Sequence, residues 1–303
     1  MWFKNIRAYR LSAPFGLSAE QLEDKLQNQV FQPCGKTQPF RTGWVAPLGN
    51  EGGLLVHAAN GRLLVCMRRE ERLLPASVIR EELVQRVTAI EERQERKVHR
   101  REKDALKDDI MMDCLPRAFT RSTAIFAYID VAANWLLVDS VSVARAEELT
   151  TLLRESIGTL PLLLPEVNNS PAAVMTSWLQ LGNMPADMLT GYECELRDPA
   201  EDGGVVRCRR QDLSSQEIQS HLEAGKRVVK LAVEWNEQLS LVLGEDLSLR
   251  RLRFNESLQE TNDDIDSEDR AARFDADFVL MSETLTPLMD KVLDYFGGEC
   301  KGS

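Results

Sequence analysis

Four short runs of basic side chains are the residues of this chain whose type and spacing could do chemistry: Arg117 with Arg121, Arg207-Cys208-Arg209-Arg210 followed by Gln211, Lys226-Arg227 with Lys230, and Arg250-Arg251-Leu252-Arg253. Guanidinium and ammonium groups neutralise phosphate oxygens. Clusters of them on sheet edges and loops suit contact with a nucleic-acid backbone that does not read the bases. On a strand, alternation puts Arg207 and Arg209 on one face and Arg210 on the other if the strand continues, and Arg251 shares a face with Arg253. The plain alternative is a set of unrelated surface charges. Within Leu115-Pro116-Arg117-Ala118-Phe119-Thr120-Arg121, Phe119 has two readings: a core ring, or an exposed apolar anchor that a partner or second subunit buries.

Residues for bond-breaking chemistry are sparse. Gly35-Lys36-Thr37 lacks the phosphate-loop glycine five residues earlier, where Val30 stands, and Pro33 interrupts the would-be loop. Asp264-Ile265-Asp266-Ser267-Glu268-Asp269 begins like a calcium loop, but Asp269 occupies the glycine position and Asp275 the final glutamate position. A two-metal magnesium nuclease could draw on Asp264, Asp266, Asp275 and Asp277. Nearby Arg273, Phe274, Phe278 and Val279 suggest instead an amphipathic helix with acidic residues ahead of it. The three histidines, His57, His99 and His221, are scattered. The expectation is therefore a protein that is not an enzyme and needs no metal or cofactor.

The elements that must position the basic runs read as alternating sheet and helix. Ile6 to Leu11 is a strand, and Asn60-Gly61 between two apolar runs from Leu54 to Met67 marks a hairpin with a type I′ turn. Ser18, with Gln21 three residues on, caps a helix, and a loop punctuated by proline and glycine follows from Pro33 to Gly53. From Pro75 come about thirty residues without glycine or proline, dense in Glu, Arg and Lys, read as an exposed helix or helical pair. Strands follow at Ala124–Asp130 and Trp135–Asp139, with helices at Ala144–Ile157, near Ala172–Leu181 and at Ser215–Ala224. A three-strand meander spans Arg227 to Phe254, and helices run through Phe278, Leu285 and Leu293. Pro161, Pro165 and Asn168-Asn169-Ser170-Pro171 mark the domain boundary. This predicts an α+β subunit with a central domain from 1–75 and 122–165, a projecting helical tip from 76–121 and a C-terminal α+β domain from 166–303.

Charge constrains the partner. The 303-residue chain has a net charge of −11, so attraction to a polyanion must be local. Six cysteines without a CxxC pair read as free thiols in a reducing compartment. The first residues lack the apolar run of a signal peptide, and Leu160 to Leu164 is too short to span a bilayer. A cytoplasmic protein is expected.

The chain as a whole resembles the RdgC family of bacterial recombination-associated DNA-binding proteins. The resemblance rests on Trp2-Phe3-Lys4-Asn5, Phe31-Gln32-Pro33-Cys34-Gly35, Gly43-Trp44-Val45-Ala46-Pro47, Ala59-Asn60-Gly61, Leu115-Pro116-Arg117-Ala118-Phe119, Glu201-Asp202-Gly203-Gly204-Val205, Arg210-Gln211-Asp212-Leu213 and Arg273 to Met281, in that order. It implies horseshoe-shaped subunits with antiparallel sheets that close as a homodimer into a ring around duplex DNA. It also implies binding without sequence preference, association with the nucleoid, and restraint of RecA in recombination and at replication forks. Phe119 would lie where two subunits meet, and Arg210-Gln211 at the channel or its closing contacts. Two functions compete: DNA occupancy that obstructs RecA, with single strands as an alternative substrate, and direct action on RecA. The nuclease is a remote third.

Overall fold

Alternating apolar and polar residues in this chain build one long antiparallel sheet. The computed structural model describes residues 1–49, 53–200, 203–260 and 269–300. The strands are β1 (Asn5–Leu11), β2 (Phe40–Val45), β3 (Val56–Ala59), β4 (Arg62–Arg72), β5 (Thr120–Asp130), β6 (Trp135–Val138), β7 (Leu162–Leu163), β8 (Met188–Arg197), β9 (Val205–Arg209), β10 (Arg227–Trp235), β11 (Leu239–Gly244) and β12 (Leu249–Phe254). The helices are α1 (Ala19–Leu26), α2 (Ala76–Gln94), α3 (Arg100–Cys114), α4 (Val143–Ile157), α5 (Pro171–Leu181), α6 (Gln216–Glu223), α7 (Glu256–Glu260) and α8 (Arg270–Tyr295). The class is α+β. Strand order is β2-β4-β5-β6-β1-β12-β11-β10-β8-β9, with β3 added to β4 and β7 to β1.

The expected separate sheets are one sheet, because β1 serves both halves. Its first residues pair with β12, at Asn5↔Arg250 and Ile6↔Leu249, and its later ones with β6, from Arg7↔Val138 to Arg10↔Trp135. Strand twist lets one strand hand over between two neighbours along its length. One face is packed across both halves by α5, α6 and α8, which bury Ile6, Leu64, Tyr128 and Trp135 together with Leu196, Leu231, Leu243 and Leu249. The opposite face is covered by α1 and α4 only over the N-terminal half, around Tyr9, Val65, Met67, Ile129 and Leu136. Over the C-terminal half that second face carries charged side chains.

Three further expectations are corrected. The loop expected from Pro33 to Gly53 contains β2, which pairs from Phe40↔Glu71 to Val45↔Cys66. Its Gly43 has no room for a side chain, since a Cβ there would lie 2.4 Å from Phe31 Cα. The unassigned stretch before Glu201 contains β8. The expected C-terminal helices are a single 26-residue α8, about 39 Å long at 1.5 Å per residue, with Pro287 inside it. The Asn60-Gly61 turn forms with positive φ at both residues, 49° and 75°, as a type I′ turn requires.

The charged segment after Pro75 is a helical pair. Glu95, at φ 50°, ends α2, and α3 returns. Few residues of the pair are buried, namely Ile79, Val98 and Ile110. Some of its charges pair with one another, in Arg86–Glu82, Arg86–Asp113 and Arg96–Glu102 at 2.7–3.0 Å. A solvated face accounts for them.

A buried polar network fixes α8 to the N-terminal half. Asp130 accepts from Arg62 Nε at 2.8 Å, Thr286 Oγ1 at 3.0 Å and the Ala133 amide at 2.9 Å. Trp135 Nε1 donates to Asp290 at 2.9 Å. Burial pushes the Asp130 carboxyl up, but these hydrogen bonds outweigh it and hold the group below the usual carboxylate range.

Candidate nucleic-acid interface

Strand register brings three of the four basic runs to the bare face of the C-terminal half. Arg207 and Arg209 alternate outward along the edge strand β9, directly opposite Glu195 and Glu193 of β8. Lys230 of β10 lies opposite Glu195 from the other side. A groove of ≈ 330 Å³ follows, walled by Arg207, Arg209, Lys230, Arg250 and Arg251 around Glu193 and Glu195. Five cations thus line a groove with two carboxylates at its centre, and the Arg250 guanidinium pairs with Asp246 at 3.2 Å.

A bulge recruits the β12 arginines. Ser240 pairs with Arg253 but Val242 pairs with Arg250, so β12 carries one extra residue, and Arg251 adopts φ 53° there. Strict alternation would offer Arg251 and Arg253 alone. With the bulge, Arg250 stands opposite the groove-lining Val242 as well, which the alternation argument missed.

The carboxylates at the groove centre organise these cations. Glu195, only 7% exposed, accepts from Arg207 Nε and Lys230 Nζ, each at 2.9 Å. Burial pushes its carboxyl up, yet the two cationic donors outweigh burial and keep it below the usual range. Arg251 donates to Glu193, and that bond lowers the Glu193 carboxyl too. The arginine heads remain open to solvent: Arg207 is 68% and Arg251 52% exposed at the side chain. These exposed heads can meet a phosphate while the buried Glu195 keeps Lys230 at 2.9 Å.

The other candidates stand apart from the groove. Arg210 ends β9 with φ 54° and is exposed, while Gln211 donates its amide to Tyr192 O at 3.2 Å and its side chain to Glu217 at 3.0 Å. Lys226 lies in the turn before β10, and Arg227 opens that strand opposite Arg197. Arg117 is exposed in the short turn after α3, and Arg121 pairs with Glu71 at 2.7 Å. Between them Phe119 is 85% exposed, which rules out a core ring within the subunit. Its carbonyl accepts from the Leu73 amide at 2.8 Å, so the backbone beneath the ring is fixed.

The acidic candidates do not assemble into a described metal site. Asp264 and Asp266, with Glu201 and Asp202 of the family segment, lie outside the described residues. Asp275 sits 3.0 Å from His57 Nε2, and Asp277 binds the amine of Met1 at 2.8 Å. Asp269 caps α8 through the Ala272 amide at 3.0 Å. Among the described residues no group of three or more His, Cys, Asp or Glu side chains could hold a metal ion, and no helix is long and apolar enough to cross a membrane.

Comparison with known proteins decides the family. A family model described as "Putative exonuclease, RdgC" matches residues 1–299. The chain belongs to the RdgC family. Similar relatives include the recombination-associated protein RdgC of Aeromonas hydrophila, 48% identical over 299 residues, and that of Serratia proteamaculans, 44% identical over 301 residues. A third, from Yersinia enterocolitica, is also 44% identical over 301 residues, and 99% of both chains is covered in each case. The relatives' names associate them with recombination, whereas the family is described as a putative exonuclease.

Proposed function

We propose that this chain binds DNA without sequence preference and, by occupying it, restrains RecA-mediated recombination, including at replication forks. The observation that carries this is the convergence of Arg207, Arg209, Lys230, Arg250 and Arg251 on a face that no helix covers. The chain's net charge is −11, so the field that attracts a phosphate backbone has to come from local clusters of cations such as this face. The groove offers guanidinium forks at strand spacing but no helix placed for base readout, which suits duplex DNA held by its backbone.

On this reading two horseshoe-shaped subunits close into a ring around the duplex. Each has a central part (1–75 and 122–165), a helical tip (76–121) and a C-terminal part (166–303). Phe119 closes one of the contacts between subunits, since an aromatic ring 85% exposed on a fixed backbone gains most by burial in a partner. The protein then works on the nucleoid, in the cytoplasm, without a cofactor. The test is binding of labelled duplex and single-stranded DNA at salt between about 50 and 200 mM, where phosphate contacts predict a steep fall in affinity. Binding that ignores salt sinks the proposal. A groove variant that no longer binds DNA yet still inhibits RecA would point to direct contact with RecA instead.

The family description favours a second reading, an exonuclease. Purified protein with magnesium or manganese and end-labelled DNA separates the two: release of nucleotides that persists through further purification supports the exonuclease, and intact DNA supports the binding protein.

A further inference from the structure

Cys194 of β8 and Cys208 of β9 are direct partners in the antiparallel register. Both side chains leave the sheet on the face opposite the arginines, Cys194 within the core and Cys208 packed against it. Directly opposed residues on antiparallel strands have Cα atoms about 4.5 or 5.5 Å apart, and a disulfide spans roughly 4.4–6.8 Å. The register therefore places the two Cα atoms within the span of a disulfide. The other cysteines have different surroundings: Cys34 donates to Gln38 O, Cys66 is buried in the N-terminal half, Cys114 ends α3, and Cys300 lies against Asn168.

We propose that Cys194 and Cys208 form a redox-reactive pair, which a low-molecular-weight disulfide oxidises to an intrachain bond stapling the edge strand β9 to β8. Cys208, half-buried on the edge strand, is the point of entry. Its thiolate attacks one sulfur of the small disulfide, whose S–S bond breaks and releases one small thiolate. Cys194 then loses its proton to solvent and attacks the Cys208 sulfur, expelling the second small thiolate. Two electrons pass from the protein thiols to the reagent, which ends as two thiols. With both thiols free, burial and then the neighbouring Cys208 push the Cys194 thiol up to about 12; burial persists once Cys208 is in the mixed disulfide, so the second step accelerates as pH rises.

The consequence reaches the groove through the strand. β9 hydrogen-bonds to β8 alone and ends the sheet. A bond at Cys194–Cys208 fixes Arg207 against Glu195 and Arg209 against Glu193, the register pairs on either side of it. The chemistry depends on strand register only, and it stands whether or not the groove binds DNA.

The test treats the full chain under native conditions with glutathione disulfide, blocks remaining thiols, and maps the peptides by mass spectrometry. The expected result is loss of two of the six thiols per chain, one peptide pair joined through Cys194 and Cys208, reversal by dithiothreitol, and slower amide exchange along β9. Cys208→Ala should leave Cys194 reduced, while Cys114→Ala should not alter the bond. Six intact thiols, a mixed disulfide at Cys208 that never resolves, or a bond between other cysteines would each overturn the proposal.

Discussion

Replacing Arg207, Arg209 and Arg251 together by alanine removes three of the five cations that wall the groove and leaves Lys230 and Arg250. Each phosphate neutralised on B-form DNA contributes about −0.9 to the slope of log affinity against log salt. Five contacts per subunit therefore set a groove contribution of about −4.5, and two contacts about −1.8. From 50 to 200 mM salt the intact groove would lose about 500-fold in affinity and the variant about 12-fold. The fold should survive, because Arg207 and Arg251 are exposed and Glu195 keeps Lys230 at 2.9 Å. Fluorescence anisotropy with a labelled duplex across a salt series measures the slopes, and the urea midpoint confirms the fold. A variant with weaker binding but an unchanged slope would refute the reasoning, because its lost affinity could not come from phosphate contacts.

Phe119→Asp places a charge at the exposed ring and should shift sedimentation toward monomer; an unchanged monomer–dimer equilibrium would contradict the assigned contact. Asp130→Ala leaves Arg62 and Thr286 without their acceptor and should lower unfolding free energy by about 3 kcal/mol in urea titrations. Glu195 has a depressed folded pKa, so its stabilisation is present above the unfolded glutamate value of about 4.3 and is lost as pH falls through the lower folded value. The difference in urea midpoint between wild type and Glu195→Gln should accordingly narrow on acidification below about pH 4.3. Gly43→Ala should cost about 1–3 kcal/mol, because its Cβ would meet Phe31 Cα at 2.4 Å, whereas Gly16→Ala, with nothing within 4 Å, should be near neutral.

Much of the fold was legible because local rules and tertiary packing agree. Asn60-Gly61, the Ser18 cap with Gln21, and the continuous apolar run Trp135–Val138 each produce the element they announce. The missed strands show where agreement ends. In β8 the alternation of Tyr192, Cys194 and Leu196 with Glu193, Glu195 and Arg197 was a usable signal, obscured by Gly191, which approaches Ala232 too closely for a side chain. β2 and the charged end of β4 carry no comparable apolar pattern. At that end of β4, Glu71 pairs with Arg121 of β5 and Arg69 with Glu148 of α4, so that charge is matched across strands and against α4.

The sequence by itself determined the type of most elements, β2 and β8 apart, the placing of basic residues in a few tight runs within an acidic chain, and, by its order of segments, the resemblance to the RdgC family. It could not determine which runs meet. Arg207 and Arg251 are far apart along the chain, and only the pairing of β9, β8, β10, β11 and β12 sets them around one groove. A bulge at Arg251 admits Arg250 to that face, and β8 contributes the carboxylates that hold the cations apart and in place. Tertiary structure also decided Phe119: sequence gives an aromatic ring beside a proline, and packing alone leaves it in solvent. The reason is physical, since strand register and burial are set by contacts between distant segments, which no local pattern encodes.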